Sequence, residues 1–198
     1  MITLYHHART RSTRFIFLLE ELGAPYEIHR VATRGGDGTG GADPANPHPH
    51  GKVPAISDDG TVVFESAAIA LYLTDRFPDN GIGPVVGDAR RGAYVTWLAY
   101  YAGVLEPAWT MKFLNVQAPP VMAGWAPAED AQAFVTRTLE AGPYILGANF
   151  SAADILLGTT FAMFMGGPMM EKTPLLEAYV KRVVERPAYA RAMAKDDV

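Results

Sequence analysis

The sequence predicts an α/β segment followed by an all-helical one, and two observations carry that prediction. Over residues 1–78, short runs rich in β-formers alternate with helical periodicities in the order β-α-β, loop, β-β-α. From residue 88 onward no strand pattern remains, and apolar residues recur at three- and four-residue steps. Residues 79–87 (DNGIGPVVG) have the composition of a linker between the two parts, 1–78 and 88–198.

The elements follow in order. Residues 2–6 (ITLYH) read as a strand, and 12–22 as a helix with Phe15, Ile16, Leu18, Leu19 and Leu22 on its apolar side, stopped by Gly23 and Pro25. Residues 26–31 read as a second strand, parallel to the first because a helix intervenes. A loop rich in glycine and proline comes next. It contains a G-x-G-x-x-G match at Gly36, Gly38 and Gly41, but Pro44, Pro47 and Pro49 forbid the helix on whose N-terminus a nucleotide phosphate would rest. Residues 53–57 and 61–64 form a hairpin around Asp58-Asp59-Gly60, and 65–77 is an amphipathic helix ended by Pro78 and Gly81.

In the second part, Tyr94, Trp97, Leu98, Tyr101 and Leu105 mark a long helix that Pro107 is expected to kink or break. Residues 127–139, 152–165, 174–184 and 187–195 are further helices, the last two begun by proline. Met163, Met165, Met169 and Met170 read with Phe161 and Phe164 as helical core.

Composition narrows the chemistry. The chain has 198 residues, 49% of them hydrophobic, and no cysteine. That excludes a disulfide scaffold, a thiol nucleophile and any Cys-based metal or redox motif. A net charge of -4 argues against nucleic-acid binding. Residues 155–170, the most apolar stretch, are broken by Gly158, Gly166, Gly167 and Pro168, and no signal-peptide order opens the chain, so a cytoplasmic protein outside the membrane is expected. None of the five histidines has the helical spacing of a zinc enzyme, so no metal is expected.

Four segments taken together resemble the soluble glutathione transferase family, in its bacterial and theta-like branch: LYHHARTRSTRFIFLLEELGAPYE, HPHGKVPAI, FESAAIALYL and GANFSAADI. The resemblance covers nearly the whole chain. It implies a thioredoxin-like N-terminal domain, a C-terminal helical bundle, glutathione as co-substrate, no nucleotide, an apolar electrophile as second substrate, and a homodimer. It also implies that Pro54 follows a cis bond, that Val53 pairs main chain to main chain with the cysteinyl unit, and that Lys52 and His50 face the glycyl carboxylate. Ser66 would hold the γ-glutamyl carboxylate and Glu65 the ammonium group. On local grounds Glu65-Ser66 reads equally as a helix cap.

For the group that stabilises the thiolate, the resemblance points to a hydroxyl after the first strand. Thr10 falls best on that position, Ser12 is its neighbour, and Tyr5 stands where tyrosine-using classes place theirs. Ser12 or Thr13 also reads as a cap of the first helix, and Tyr5 as a strand aromatic. The chain departs from the family in His7-Ala8, where many members have a small residue and proline, and in Arg11, where some have cysteine. Ser151 and Asp154 read as a capping box that serves folding. Tyr101, Trp109 and Phe113 are candidates to line the second-substrate pocket. Two other functions fit the same fold: a non-catalytic glutathione-binding or regulatory protein, and a glutathione-dependent peroxidase or disulfide reductase.

Overall fold

The structure, a computed structural model, describes residues 1–35, 39–117, 119, 121–167 and 170–197. The expected β-α-β, β-β-α order is present: β1 (Ile2–His6), α1 (Thr13–Leu22), β2 (Tyr26–Arg30), β3 (Ala55–Asp58), β4 (Thr61–Phe64) and α2 (Ser66–Arg76). The sheet order is β2-β1-β3-β4, with β1 parallel to β2 and antiparallel to β3. Strand alternation puts Ile2, Leu4 and His6 on the buried face of β1.

α1 forms because an unbroken run of good core residues, from Phe15 to Leu19 and Leu22, has one side to bury. Each of these side chains contributes about 1.5–3 kcal/mol when fully removed from water. Gly23 ends the helix, with the Ala24 N–H bonding back to Leu19 O at 3.1 Å. No helix starts between Thr39 and Pro54, and Gly36 and Gly38 of the G-x-G-x-x-G match lie outside the described residues.

The chain divides into two compact units, and the division differs from the expected one at its end. The first unit is Met1–Asn80 together with the C-terminal helix α8 (Pro187–Asp196); the second is Gly81–Arg186. Length and periodicity marked α8 as one more bundle helix. What draws it to α1 is side-chain chemistry. Tyr189 packs edge-on against Phe17 with ring centroids 5.4 Å apart, and Arg191 and Lys195 close on Glu20.

The second unit holds α3 (Arg91–Tyr100), α4 (Glu106–Phe113), α5 (Ala128–Glu140), α6 (Ala152–Phe164) and α7 (Pro174–Val184). Pro107 does not break the α3–α4 run. A π turn, Tyr101–Leu105, comes just before it, and this wider turn relieves the clash that a proline ring makes with the carbonyl four residues back. α6 is buried almost throughout its first ten residues. Gly158 lets α7 approach, since a Cβ there would lie 2.7 Å from Val183. Phe161 and Met170 are core, whereas Met163 is half exposed and Met169 lies outside the described residues. The Ser151–Asp154 capping box is present: the Ser151 N–H donates to the Asp154 carboxylate at 2.9 Å. Among the described residues no helix is long and apolar enough to cross a membrane.

Candidate functional site

The first unit carries a groove of about 480 Å³, a size suited to a small ligand. It is lined by Thr10, Arg11, Thr33, Arg34, Ala42, His50, Gly51, Lys52 and Val53. The groove thus joins segments that are far apart in sequence: the loop between β1 and α1, the loop after β2, and the approach to β3. Its lining includes three fixed cations, Arg11, Arg34 and Lys52, and no carboxylate among the described residues. Such a surface favours an anion.

The three candidate hydroxyls occupy different environments. Thr10 is partly exposed in the groove. Its Oγ1 donates to His7 O at 2.6 Å and accepts from the Ser12 N–H at 3.2 Å. Ser12 is fully buried and does not line the groove. It stands at the N-cap of α1 but makes no side-chain cap bond; its Oγ turns inward, 2.8 Å from His6 Nδ1 and 3.1 Å from the His7 N–H. Tyr5 stands as a strand aromatic. It projects from the face of β1 opposite Leu4 and His6, with its ring 5.3 Å from His29, and does not line the groove. Period-two alternation, which a single residue cannot reveal, decides that outcome.

The Val53–Pro54 peptide bond is cis. Among the described residues Val53 makes no main-chain hydrogen bond, so its N–H and C=O are open to an extended ligand strand. Lys52 is exposed, and its carbonyl is held by the Asn46 amide at 2.9 Å. Gly51 has a φ of 61°, and a Cβ there would come within 2.4 Å of Ala42 Cβ; only glycine fits this wall of the groove. His50 is exposed, and its N–H donates to His48 Nδ1 at 3.1 Å. His48 is buried, and burial pushes its pKa down.

At the N-terminus of α2, Glu65 has φ 72° and ψ 128°, a costly conformation for a residue with a side chain. Neither Glu65 nor any acidic residue in the first turn caps the helix. Ser66 is its first residue and is largely buried. The first N–H to find a main-chain acceptor is that of Ile69, bonded to Glu65 O at 2.9 Å. The earlier amides and the positive end of the helix dipole suit an external carboxylate. The Glu65 carboxylate itself projects into solvent, 3.9 Å from His48 Nε2.

In the second unit, the residues expected to line an apolar pocket separate. Tyr101 and Trp109 are core residues. The Tyr101 hydroxyl bonds Glu106 and lies 3.0 Å from Thr160 Oγ1, and Trp109 packs edge-on against Phe161 at 5.4 Å. Both fall on the side of the α3–α4 run that α6 covers, and helical spacing alone does not say which side that is. Phe113 is exposed. A groove of about 490 Å³ does exist in this unit, lined instead by Ala108, Met111, Val116, Trp125, Pro127 and neighbouring residues.

Sequence reasoning missed Thr33, Arg34 and His48. The first two sit in a glycine-rich loop without periodicity, and His48 gave only a weak signal as part of His48-Pro49-His50.

Residues 10–76 match the family model described as the glutathione S-transferase N-terminal domain. Glutathione S-transferase GstA of Escherichia coli O157:H7 is 30% identical over 156 residues, spanning 75% of this chain and 76% of that protein. Among solved structures, a glutathione transferase from Methylococcus capsulatus str. Bath is 28% identical with a TM-score of 0.77, covering 99% of this chain and 98% of its own. A sphingomonad glutathione S-transferase complexed with glutathione is 26% identical with a TM-score of 0.76, covering 99% of both chains.

Proposed function

The chain belongs to the glutathione S-transferase family, and we propose from this that its first unit binds glutathione in the Thr10–Val53 groove and activates the thiol for transfer to an apolar electrophile. The observation that carries the reading is the convergence of Thr10, His50, Lys52 and Val53 on one cationic groove. A related protein is complexed with glutathione in its solved structure, which supports the choice of ligand.

In this reading the tripeptide's main chain pairs with Val53, and Lys52 and His50 take the glycyl carboxylate. The uncapped amides of α2 and the Ser66 hydroxyl take the γ-glutamyl carboxylate, and Glu65 takes the ammonium group. A free thiol has a pKa near 8.5, so only a few per cent is thiolate at neutral pH. The Thr10 hydroxyl turns from His7 O to donate to the sulfur, and Arg11 adds positive potential; both lower the thiol pKa. The thiolate attacks the electrophile and forms the C–S bond, either as a leaving group departs with its electron pair or, on addition to a double bond, as the resulting carbanion takes a proton from water. A cytoplasmic homodimer with a detoxifying role completes the proposal.

The test is retention on immobilised glutathione, followed by conjugation kinetics on Thr10→Ala and Ser12→Ala. Retention of the wild type with kcat down about 10²-fold in Thr10→Ala is expected, a size typical of losing one preorganised donor to a developing anion. Failure to bind glutathione would overturn the reading. Retention without turnover of any electrophile would instead favour a binding protein.

A further inference from the structure

Asp196, in the last turn of α8, is 1% exposed. Its carboxylate gathers donors from both sides of Thr10: the Arg9 N–H at 3.0 Å, the Thr13 hydroxyl at 2.5 Å and His6 Nε2 at 3.3 Å. Its main-chain carbonyl also faces His6 Nε2, at 3.2 Å, and accepts from Arg30 at 2.9 Å. Arg9 needs such a hold. It has a φ of 56°, a left-handed conformation that a non-glycine residue keeps only when its surroundings impose it.

A buried line of contacts then leads from the carboxylate to the groove. His6 is fully buried, its Nδ1 lies 2.8 Å from Ser12 Oγ, and Ser12 Oγ lies 2.8 Å from Thr10 Oγ1. Because His6 Nε2 faces two acceptors of Asp196, it carries the ring proton, and the neutral ring presents Nδ1 as an acceptor. Burial favours that neutral ring by pushing the His6 pKa down. Ser12 therefore gives its proton to the buried His6 Nδ1, while the Thr10 proton goes to the His7 carbonyl, from which it can turn to the groove.

We propose that Asp196 is a positioning residue for Thr10: through Arg9, Thr13 and His6, the C-terminal helix fixes the β1–α1 loop so that the Thr10 hydroxyl, and not that of Ser12, serves the thiolate. The inference rests on the role given to Thr10 above.

The experiment has two readouts on wild type, Asp196→Ala, Asp196→Asn and Thr10→Ala. The first is amide hydrogen exchange in the ligand-free protein, and the second is the thiol titration of bound glutathione with steady-state kinetics. In Asp196→Ala, exchange at Arg9 and Ser12 should rise about tenfold while β1 exchanges as before, a local opening rather than global unfolding. The bound thiol's pKa should rise by about one pH unit and kcat fall about tenfold, with KM for glutathione changed less than about twofold. Asp196→Asn keeps an acceptor for Arg9 and should fall between wild type and alanine, providing a second, milder variant should alanine fold poorly. Unchanged exchange in both variants overturns the proposal without reference to glutathione. Looser exchange with an unmoved thiol pKa also overturns it, leaving Asp196 merely structural. If Thr10→Ala raises the thiol pKa and Asp196→Ala does not, only this inference fails. If Thr10→Ala leaves the pKa unmoved, the reading of Thr10 fails and takes the inference with it.

Discussion

Glu65 sets backbone comfort against ligand binding within one residue. Its φ of 72° at ψ 128° costs about 1–3 kcal/mol for a side chain with a Cβ. The same geometry starts α2 at Ser66 with its first amides uncapped, as a bound carboxylate requires. Glycine at this position is free of the strain but lacks the carboxylate that we assign to the glutathione ammonium group. Glu65→Gly should therefore raise stability by about 1 kcal/mol, after allowing for glycine's greater unfolded entropy, and weaken glutathione binding by about tenfold or more. Denaturant midpoints and calorimetric titration measure the two effects separately. A variant that loses stability would show that the backbone at Glu65 is not strained. Ser66→Ala separates the side chain from the helix end. Because the main-chain donors survive, KM for glutathione should rise about tenfold with kcat nearly unchanged.

Among the elements, α8 shows most clearly what local sequence conveys and what it leaves to tertiary structure. Its existence follows from the apolar spacing in residues 187–196, with Pro187 at the first turn. Its partner does not. Glu20 on α1 accepts from Arg191 at 2.7 Å and Lys195 at 2.5 Å, and from the Tyr26 hydroxyl at 2.6 Å. Burial pushes the Glu20 pKa up, but the hydrogen bonds from Lys195, Tyr26 and Arg191 prevail and hold it at about 2, below its ordinary 4.5. A depressed carboxylate pKa contributes stability that is complete above pH 4.5 and disappears as pH falls toward 2. Glu20→Gln should thus loosen α8 at neutral pH and flatten the acid limb of the unfolding curve between those values; amide exchange in residues 187–196 and urea midpoints against pH read both.

The same division explains the site. Thr10, Val53 and Ser66 come from the resemblance to the family, whose motifs lie at local junctions, strand to helix, loop to strand and strand to helix; the local pattern alone reads them as a cap or a strand edge. The burial of Ser12 was not legible, because it depends on His6 and on Asp196, a residue 184 positions away. The inward turn of Tyr101 and Trp109 depends on which side α6 covers, and the π turn before Pro107 on how the helix resolves a clash.

Over the whole molecule, the two units carry carboxylates of opposite pH behaviour. In the first unit, Glu20 stabilises above pH 4.5. In the second, Asp154 is buried beneath the start of α6, accepting from the Ile145 N–H at 2.8 Å, the Ser151 N–H at 2.9 Å and the Tyr179 hydroxyl at 3.0 Å. Desolvation outweighs these bonds and raises its pKa from 3.8 to about 6. A folded-state pKa above the unfolded value means that the native unit binds the proton more tightly, so its stability falls as pH rises from about 4 to about 6. Each tenfold gain in proton affinity is worth about 1.4 kcal/mol, so the loss of stability across this interval approaches ~3 kcal/mol. Between pH 6 and 4.5 the second unit should therefore gain stability on acidification, while Glu20 makes no change in the first. Probes in each unit, such as exchange in α6 and in α1, should report opposite or unequal slopes over that interval. Asp154→Asn removes the titrating group. It should abolish the slope in α6 and, by turning an amide N–H toward donors, lower the second unit's stability at pH 7 by about 1–3 kcal/mol. A slope that persists in Asp154→Asn would assign the pH response to another group.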